Sequence, residues 1–130
     1  MKNTITFLIL FVFAGTTANA QLQKAGDGFY YDDNQTLYSG EYIEYYDNGN
    51  EKIKMGISDG LDHGPTYLYY QNGQVEELRS YQEGKKQGEW LEYFDDGTLR
   101  SEKHYDHGEK TGTWKTFDET GELISEEIYD

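Results

Sequence analysis

The chain has 130 residues, with 25 acidic against 11 basic side chains, a formal net charge of −14 and no cysteine. A surface of that sign repels nucleic acid and anionic lipid headgroups, and the lack of thiols excludes disulfides and cysteine chemistry. Disordered acidic chains are poor in aromatics, whereas this one carries 13 Tyr, 6 Phe and 2 Trp, so a folded, β-rich protein is expected.

Residues 1–20 read as a signal peptide. Lys2 precedes an apolar run from Ile5 to Ala14, and Ala18-Asn19-Ala20 has the small-x-small form that precedes signal-peptidase cleavage. The run is too short to span a bilayer, which takes ~20 residues. A lipid-anchored leader would need a cysteine. The expected mature chain begins at Gln21, is exported to the periplasm or the medium without a stable membrane anchor, and keeps 10 basic against 25 acidic side chains, or −15.

Residues 21–39 contain Tyr30, Tyr31 and Tyr38 but lack the glycine frame that follows, and read as an N-terminal cap, a degenerate hairpin covering the first edge of a sheet. From residue 40 the frame is strict. Gly40, Gly64, Gly88 and Gly112 recur every 24 residues, and each is followed by a second glycine, at Gly49, Gly73, Gly97 and Gly121. A third recurs at Gly60, Gly84 and Gly108. One supersecondary unit is therefore used four times, as 40–63, 64–87, 88–111 and 112–130.

Asp47-Asn48-Gly49, Asn72-Gly73, Asp95-Asp96-Gly97 and Thr120-Gly121 are tight-turn sequences, and Asp59-Gly60, Glu83-Gly84 and His107-Gly108 mark a second turn in each unit. The segments between them are rich in Tyr, Trp, Ile, Leu and Val and have strand length. Each unit is thus predicted to be a β-hairpin. The series makes an all-β, open antiparallel meander of about eight strands.

With Asp95-Asp96-Gly97 as a three-residue loop, Phe94 faces Thr98, and the expected partners beyond are Tyr93 with Leu99, Glu92 with Arg100, Leu91 with Ser101 and Glu89 with Lys103. The same register sets Glu44 against Lys52 and Ile43 against Ile53. It collects Ile43, Tyr45, Ile53, Ile57, Tyr67, Tyr69, Val75, Tyr81, Leu91, Tyr93, Leu99, Tyr105, Phe117, Leu123 and Tyr129 on one apolar face. Tyr42, Tyr46, Trp90, Phe94 and Trp114 fall with the charges on the other. These five are the candidate binding surface, Trp90 and Trp114 foremost, while the Tyr45, Tyr69 and Tyr93 row is assigned to packing.

Catalysis finds no support: there is no nucleophile elbow, phosphate-binding loop or dinucleotide fingerprint, and no cofactor is expected. His104, Asp106 and His107 lie on a strand and a turn and need not converge, and His63 is distant, so no metal site is expected. Asp32-Asp33, Asp95-Asp96 and Glu126-Glu127 lack the spaced carboxylates of a calcium loop.

The frame G-x-W-x-x-Y-[YF]-x-x-G followed by a second [YF]-x-x-G, present as GEWLEYFDDGTLRSEKHYDHG from Gly88 to Gly108, resembles the MORN-repeat variant of many bacterial proteins. The resemblance covers Gly40 to Asp130, with Thr66 and Asp118 replacing aromatics of the pattern. It implies a curved, largely single-layered antiparallel sheet used for interaction, and proteins built only of such repeats are often labelled antitoxins of the YwqK family. The expected function is an exported scaffold or module binding a protein partner. A toxin-masking antitoxin and a glycan-binding module of the cell envelope are the alternatives.

Overall fold

The glycine-framed units fold as successive hairpins of one sheet. The computed structural model describes residue 22 and residues 24–130, so the expected leader and the start at Gln21 lie outside the described residues. Nine strands follow, β1 (Gly40–Tyr45), β2 (Glu51–Ser58), β3 (Leu61–Tyr69), β4 (Val75–Gln82), β5 (Lys85–Lys86), β6 (Gly88–Tyr93), β7 (Leu99–Asp106), β8 (Glu109–Phe117) and β9 (Leu123–Tyr129). All pairings are antiparallel and spatial order follows chain order, the two-residue β5 pairing with β4 ahead of β6. The sheet is open, as the meander expected from the sequence, and no helix occurs among the described residues.

Two kinds of turn alternate. At one end of the sheet, the tips, a three-residue loop closes as expected: Phe94 N–H donates to the Thr98 carbonyl at 2.8 Å, and Gly97, at φ 87°, donates to the Phe94 carbonyl at 2.9 Å. The tips at Gly49, Gly73 and Gly121 repeat both bonds. At the other end, the base, Asp59-Gly60, Glu83-Gly84 and His107-Gly108 each hold two residues at positive φ, the type I′ geometry whose twist suits a hairpin. Side chains tie each turn to the next. Asn48 and Asn72 donate to the carbonyls of Gln71 and Asp95 at 2.9 and 3.0 Å, and Tyr46 and Tyr70 hydroxyls donate to the carbonyls of Tyr69 and Tyr93, each at 2.7 Å. At the base, Ser39, His63 and Gln87 accept the amides of Asp59, Glu83 and His107.

The register holds only to the first pair beyond the tip. Tyr93 faces Leu99, but a bulge then makes Arg100 the extra residue, so Glu92 faces Ser101, Leu91 faces Glu102 and Glu89 faces His104. The same irregularity follows Tyr45, Tyr69 and Phe117, and Glu44 faces Ile53 rather than Lys52. A one-residue shift exchanges the faces. Ile53, Ile57, Tyr81, Tyr105 and Tyr129 therefore join Tyr42, Trp90 and Trp114 on one side, here the tryptophan face, and leave Tyr45, Tyr67, Tyr69, Tyr93 and Phe117 on the opposite face. The ion pairs do not report the slip, because Lys52 still reaches Glu44 at 2.9 Å and Lys103 reaches Glu92 diagonally at 2.7 Å.

The apolar core lies at the N-terminal end of the tryptophan face, where Tyr30 packs on Met55 and Ile57 with Leu22, Tyr38, Tyr42 and Ile53 around them. The segment before β1 forms a minimal hairpin bridged at Tyr31 and Leu37. Its backbone bonds run to the β2–β3 turn, Tyr30 N–H donating to the Gly60 carbonyl at 2.9 Å and Gly60 N–H to the Tyr38 carbonyl at 2.8 Å. It therefore lies over the face and turn of the sheet, and reaches the β1 backbone through the Tyr38 hydroxyl, which donates to the Glu41 carbonyl at 3.0 Å.

Candidate interaction surface

On the tryptophan face, equivalent positions of successive units come into line, and the rings at those positions form a continuous row. Tyr81, Trp90, Tyr105, Trp114 and Tyr129 follow one another with centroids 5.3, 5.2, 5.1 and 4.8 Å apart, all tilted or edge-on, the favoured arrangement for aromatic pairs. The indole N–H groups are satisfied within the sheet: Trp90 donates to the Ser80 carbonyl and Trp114 to that of His104, each at 3.0 Å. Lys86 lies 4.2 Å over the Trp90 ring and Lys110 lies 4.5 Å over Trp114, close enough for cation–π attraction. Trp90 and Trp114 are thus members of a packed row, where the sequence reading set them apart from packing.

The remaining candidates divide. Tyr42 is half-buried beside the cap, whereas Tyr46 and Phe94 stand at the tips, Tyr46 bonded to the Tyr69 carbonyl and Phe94 under the Arg100 guanidinium at 5.7 Å. Burial acts on the titratable groups nearby. The Tyr30 hydroxyl is pushed up to about 12, first by burial and then by the adjacent Asp62 carboxylate, which Lys24 also meets at 2.5 Å. Burial works to raise the Glu92 carboxyl, but Lys103, Arg100 and the Ser101 hydroxyl together hold it below the ordinary value.

The opposite face carries an uncovered apolar band. Tyr69 faces Val75, Tyr93 faces Leu99 and Phe117 faces Leu123, forming one row next to the tips, and Tyr67, Leu78 and Leu91 form a second row behind it. Tyr67, Val75, Leu78 and Tyr93 line an open depression of about 470 Å3 with the Gly73 and Gly97 tips as its rim. Tyr45, Leu123 and Ile128, on the same face in the edge strands β1 and β9, are 45%, 52% and 73% exposed, and the rings between them are half-buried. The tips beside the band hold Asp47, Asp95, Asp96 and Glu119, all exposed, and no Lys or Arg. Hydrogen bonds from Thr98 and Thr120 hold the Asp96 and Asp118 carboxyls below the usual range, so this rim stays anionic. Sequence reasoning did not single out this band, because it assigned Tyr45, Tyr69 and Tyr93 to packing.

The three histidines separate. His63 caps the Glu83 amide, His107 pairs with Asp106 at 2.6 Å on an exposed turn, and His104 stands on β7 with its Nε2 3.0 Å from Glu102 Oε1. Glu89 completes a group of three with Glu102 and His104, their ligating atoms all within 4.8 Å of one another.

Residues 62–83, 86–107 and 110–130 match the family model of the MORN repeat variant. The chain belongs to the MORN repeat variant family. Each matched segment coincides with one hairpin, β3–β4, β5–β7 and β8–β9, so one match of the family model spans the strands around one tip. The hairpin β1–β2 has the same tip bonds but lies outside the matched residues. No curated protein and no solved structure matches this MORN-variant chain.

Proposed function

We propose that this MORN-variant chain is an exported, non-catalytic binding module that engages a basic, amphipathic segment of another protein on the apolar band opposite the tryptophan row. The carrying observation is the row Tyr69, Val75, Tyr93, Leu99, Phe117 and Leu123, bordered by tips of which three carry carboxylates, the Gly73 tip carries amides, and none carries Lys or Arg. Contiguous apolar surface rimmed by charge is a usual mark of a docking site, and a net charge of −14 favours encounter with a cationic partner. The export element rests on the Lys2 to Ala20 pattern. The non-catalytic element rests on the sequence, which carries no nucleophile elbow, phosphate-binding loop or dinucleotide fingerprint. Glycan stacking draws less support, because neighbouring rings and Lys86 and Lys110 occupy the indole faces.

The test is capture from envelope extract on immobilised protein, comparing wild type with Leu123→Asp and Trp90→Phe. A polypeptide retained by wild type and Trp90→Phe, lost with Leu123→Asp and weakened in 1 M salt, is the expected result, since screening shortens to ~3 Å there. Capture that follows Trp90 and ignores Leu123 would move the site to the tryptophan face.

A further inference from the structure

His104 and Glu89 are direct partners in the β6–β7 ladder, and Glu102 lies two residues along β7 on the same face. The backbone of Glu102 and His104 is held on both sides, since β7 pairs with β6 and β8 and the His104 carbonyl accepts the Trp114 indole N–H at 3.0 Å, and Glu89 is held through its pairing with His104. The imidazole runs alongside Gly112, where a Cβ would stand 3.6 to 3.7 Å from its atoms. Three potential ligands thus project from a fixed frame into solvent.

The repeat supplies its own control. The same three places hold Glu41, Lys54 and Gly56 in the first hairpin, Pro65, Leu78 and Ser80 in the second, and Thr113, Glu126 and Ile128 in the fourth. Since all four hairpins form, the architecture requires none of these side chains, and only the third assembles two carboxylates with an imidazole. Holding Glu89 and Glu102 near each other costs free energy unless a positive charge lies between them. Among the described residues Glu102 meets His104, and Glu89 is exposed and forms no ion pair.

We propose that Glu89, Glu102 and His104 form a surface site for a divalent transition ion of the zinc class. The donor set decides the class: magnesium and calcium take oxygen ligands, whereas an imidazole nitrogen with carboxylates suits zinc and its neighbours. At zinc–ligand distances of ~2.0 to 2.1 Å, tetrahedral ligand atoms lie ~3.3 Å apart. His104 Nε2 and Glu102 Oε1, at 3.0 Å, are already near that spacing, and rotation of the exposed Glu89 side chain closes the remaining gap, at most 4.8 Å. Three protein ligands leave the fourth position open to water or to a donor from a bound partner.

Titration of the full chain with zinc chloride by calorimetry tests the site. One ion per chain is expected, with affinity lowered at least about tenfold by His104→Ala and by Glu89→Gln, and unchanged by His63→Ala and His107→Ala. Excess magnesium should not displace the ion. Glu89→Gln changes an exposed side chain, so it remains informative if His104→Ala disturbs the circular dichroism spectrum. Absence of saturable binding, binding indifferent to both site variants, or equal loss with His107→Ala overturns the assignment.

Discussion

The two ends of the sheet solve one problem differently. A single antiparallel sheet has no second layer to bury its apolar face, and isolated hairpins are marginal in water. In the last two hairpins the tryptophan face covers itself, with Trp90 and Trp114 interleaved between Tyr81, Tyr105 and Tyr129 and lysines laid over the indoles. The first two hairpins place Tyr42 and Thr66 where the tryptophans stand later, and the first places Ile57 and Met55 where Tyr105 and Lys103 stand. The ring row ends there, and the cap lays Tyr30 and Leu22 over the gap. Asp62 occupies the place of Lys86 and Lys110, so the cation comes from the cap instead, as Lys24 at 2.5 Å. Substitution in the repeat and addition of a cap are two halves of one device.

The largest effect that sharpens this contrast is at Tyr30, 9% exposed. Tyr30→Ala should cost about 3 kcal/mol or more, because it opens the cap core and removes the ring from Asp62. Trp114→Phe keeps a ring in the row and loses the bond to the His104 carbonyl, so about 1 to 2 kcal/mol is expected. Urea midpoints for the pair check the order, and equal costs would mean that the ends are not differently built.

The tips are common to the first and last hairpins, and each needs its glycine. Gly49→Val and Gly97→Val each force a β-branched residue into the left-handed region, at φ 85° and 87°, and should cost about 1 to 3 kcal/mol apiece. Thr98→Val, within the extended chain beside the tip, should cost less than either, since it keeps the backbone bond to Asp96 and loses only that of the hydroxyl. A cost well below 1 kcal/mol at Gly49, where a Cβ would meet nothing, would contradict the need for a left-handed residue at the tip, and any excess at Gly97 reports Gln74, whose Oε1 lies 2.8 Å from the Cβ position.

The smallest effect is acid sensitivity. Hydrogen bonds from Thr36 to Asp32 in the cap and from Thr120 to Asp118 in the last tip hold both carboxyls below 3.8. A depressed folded value means that the contribution is present above the ordinary value and lost as pH falls through the folded one. The melting temperature should therefore decline below about pH 4, and Asp118→Ala should flatten part of that decline. Relief of charge repulsion acts in the opposite sense but is shared by the variant.

The strand order, the positions of both sets of turns and the Phe94–Thr98 closing pair were legible in the sequence, because glycine spacing and turn chemistry are local signals. The faces were not. Arg100 and its equivalents slip the register beyond each tip, and long side chains such as Lys103 satisfy either alignment, so charge pairing could not distinguish them. The signal that would have done so is the shared period of Trp90, Trp114, Tyr81, Tyr105 and Tyr129, which face each other only with a bulge. The Glu89, Glu102 and His104 group was hidden for the same reason, since the unbulged register set Glu89 against Lys103.

Backbone hydrogen exchange, measured on the chain with and without residues 22–38, tests most directly whether the cap substitutes for the missing rings. Removal of the cap should strip protection from amides of β1, β2 and β3 while β6, β7 and β8 keep theirs, because their second layer is the ring row. Uniform loss across all strands, or unchanged protection in β2 and β3, would contradict it.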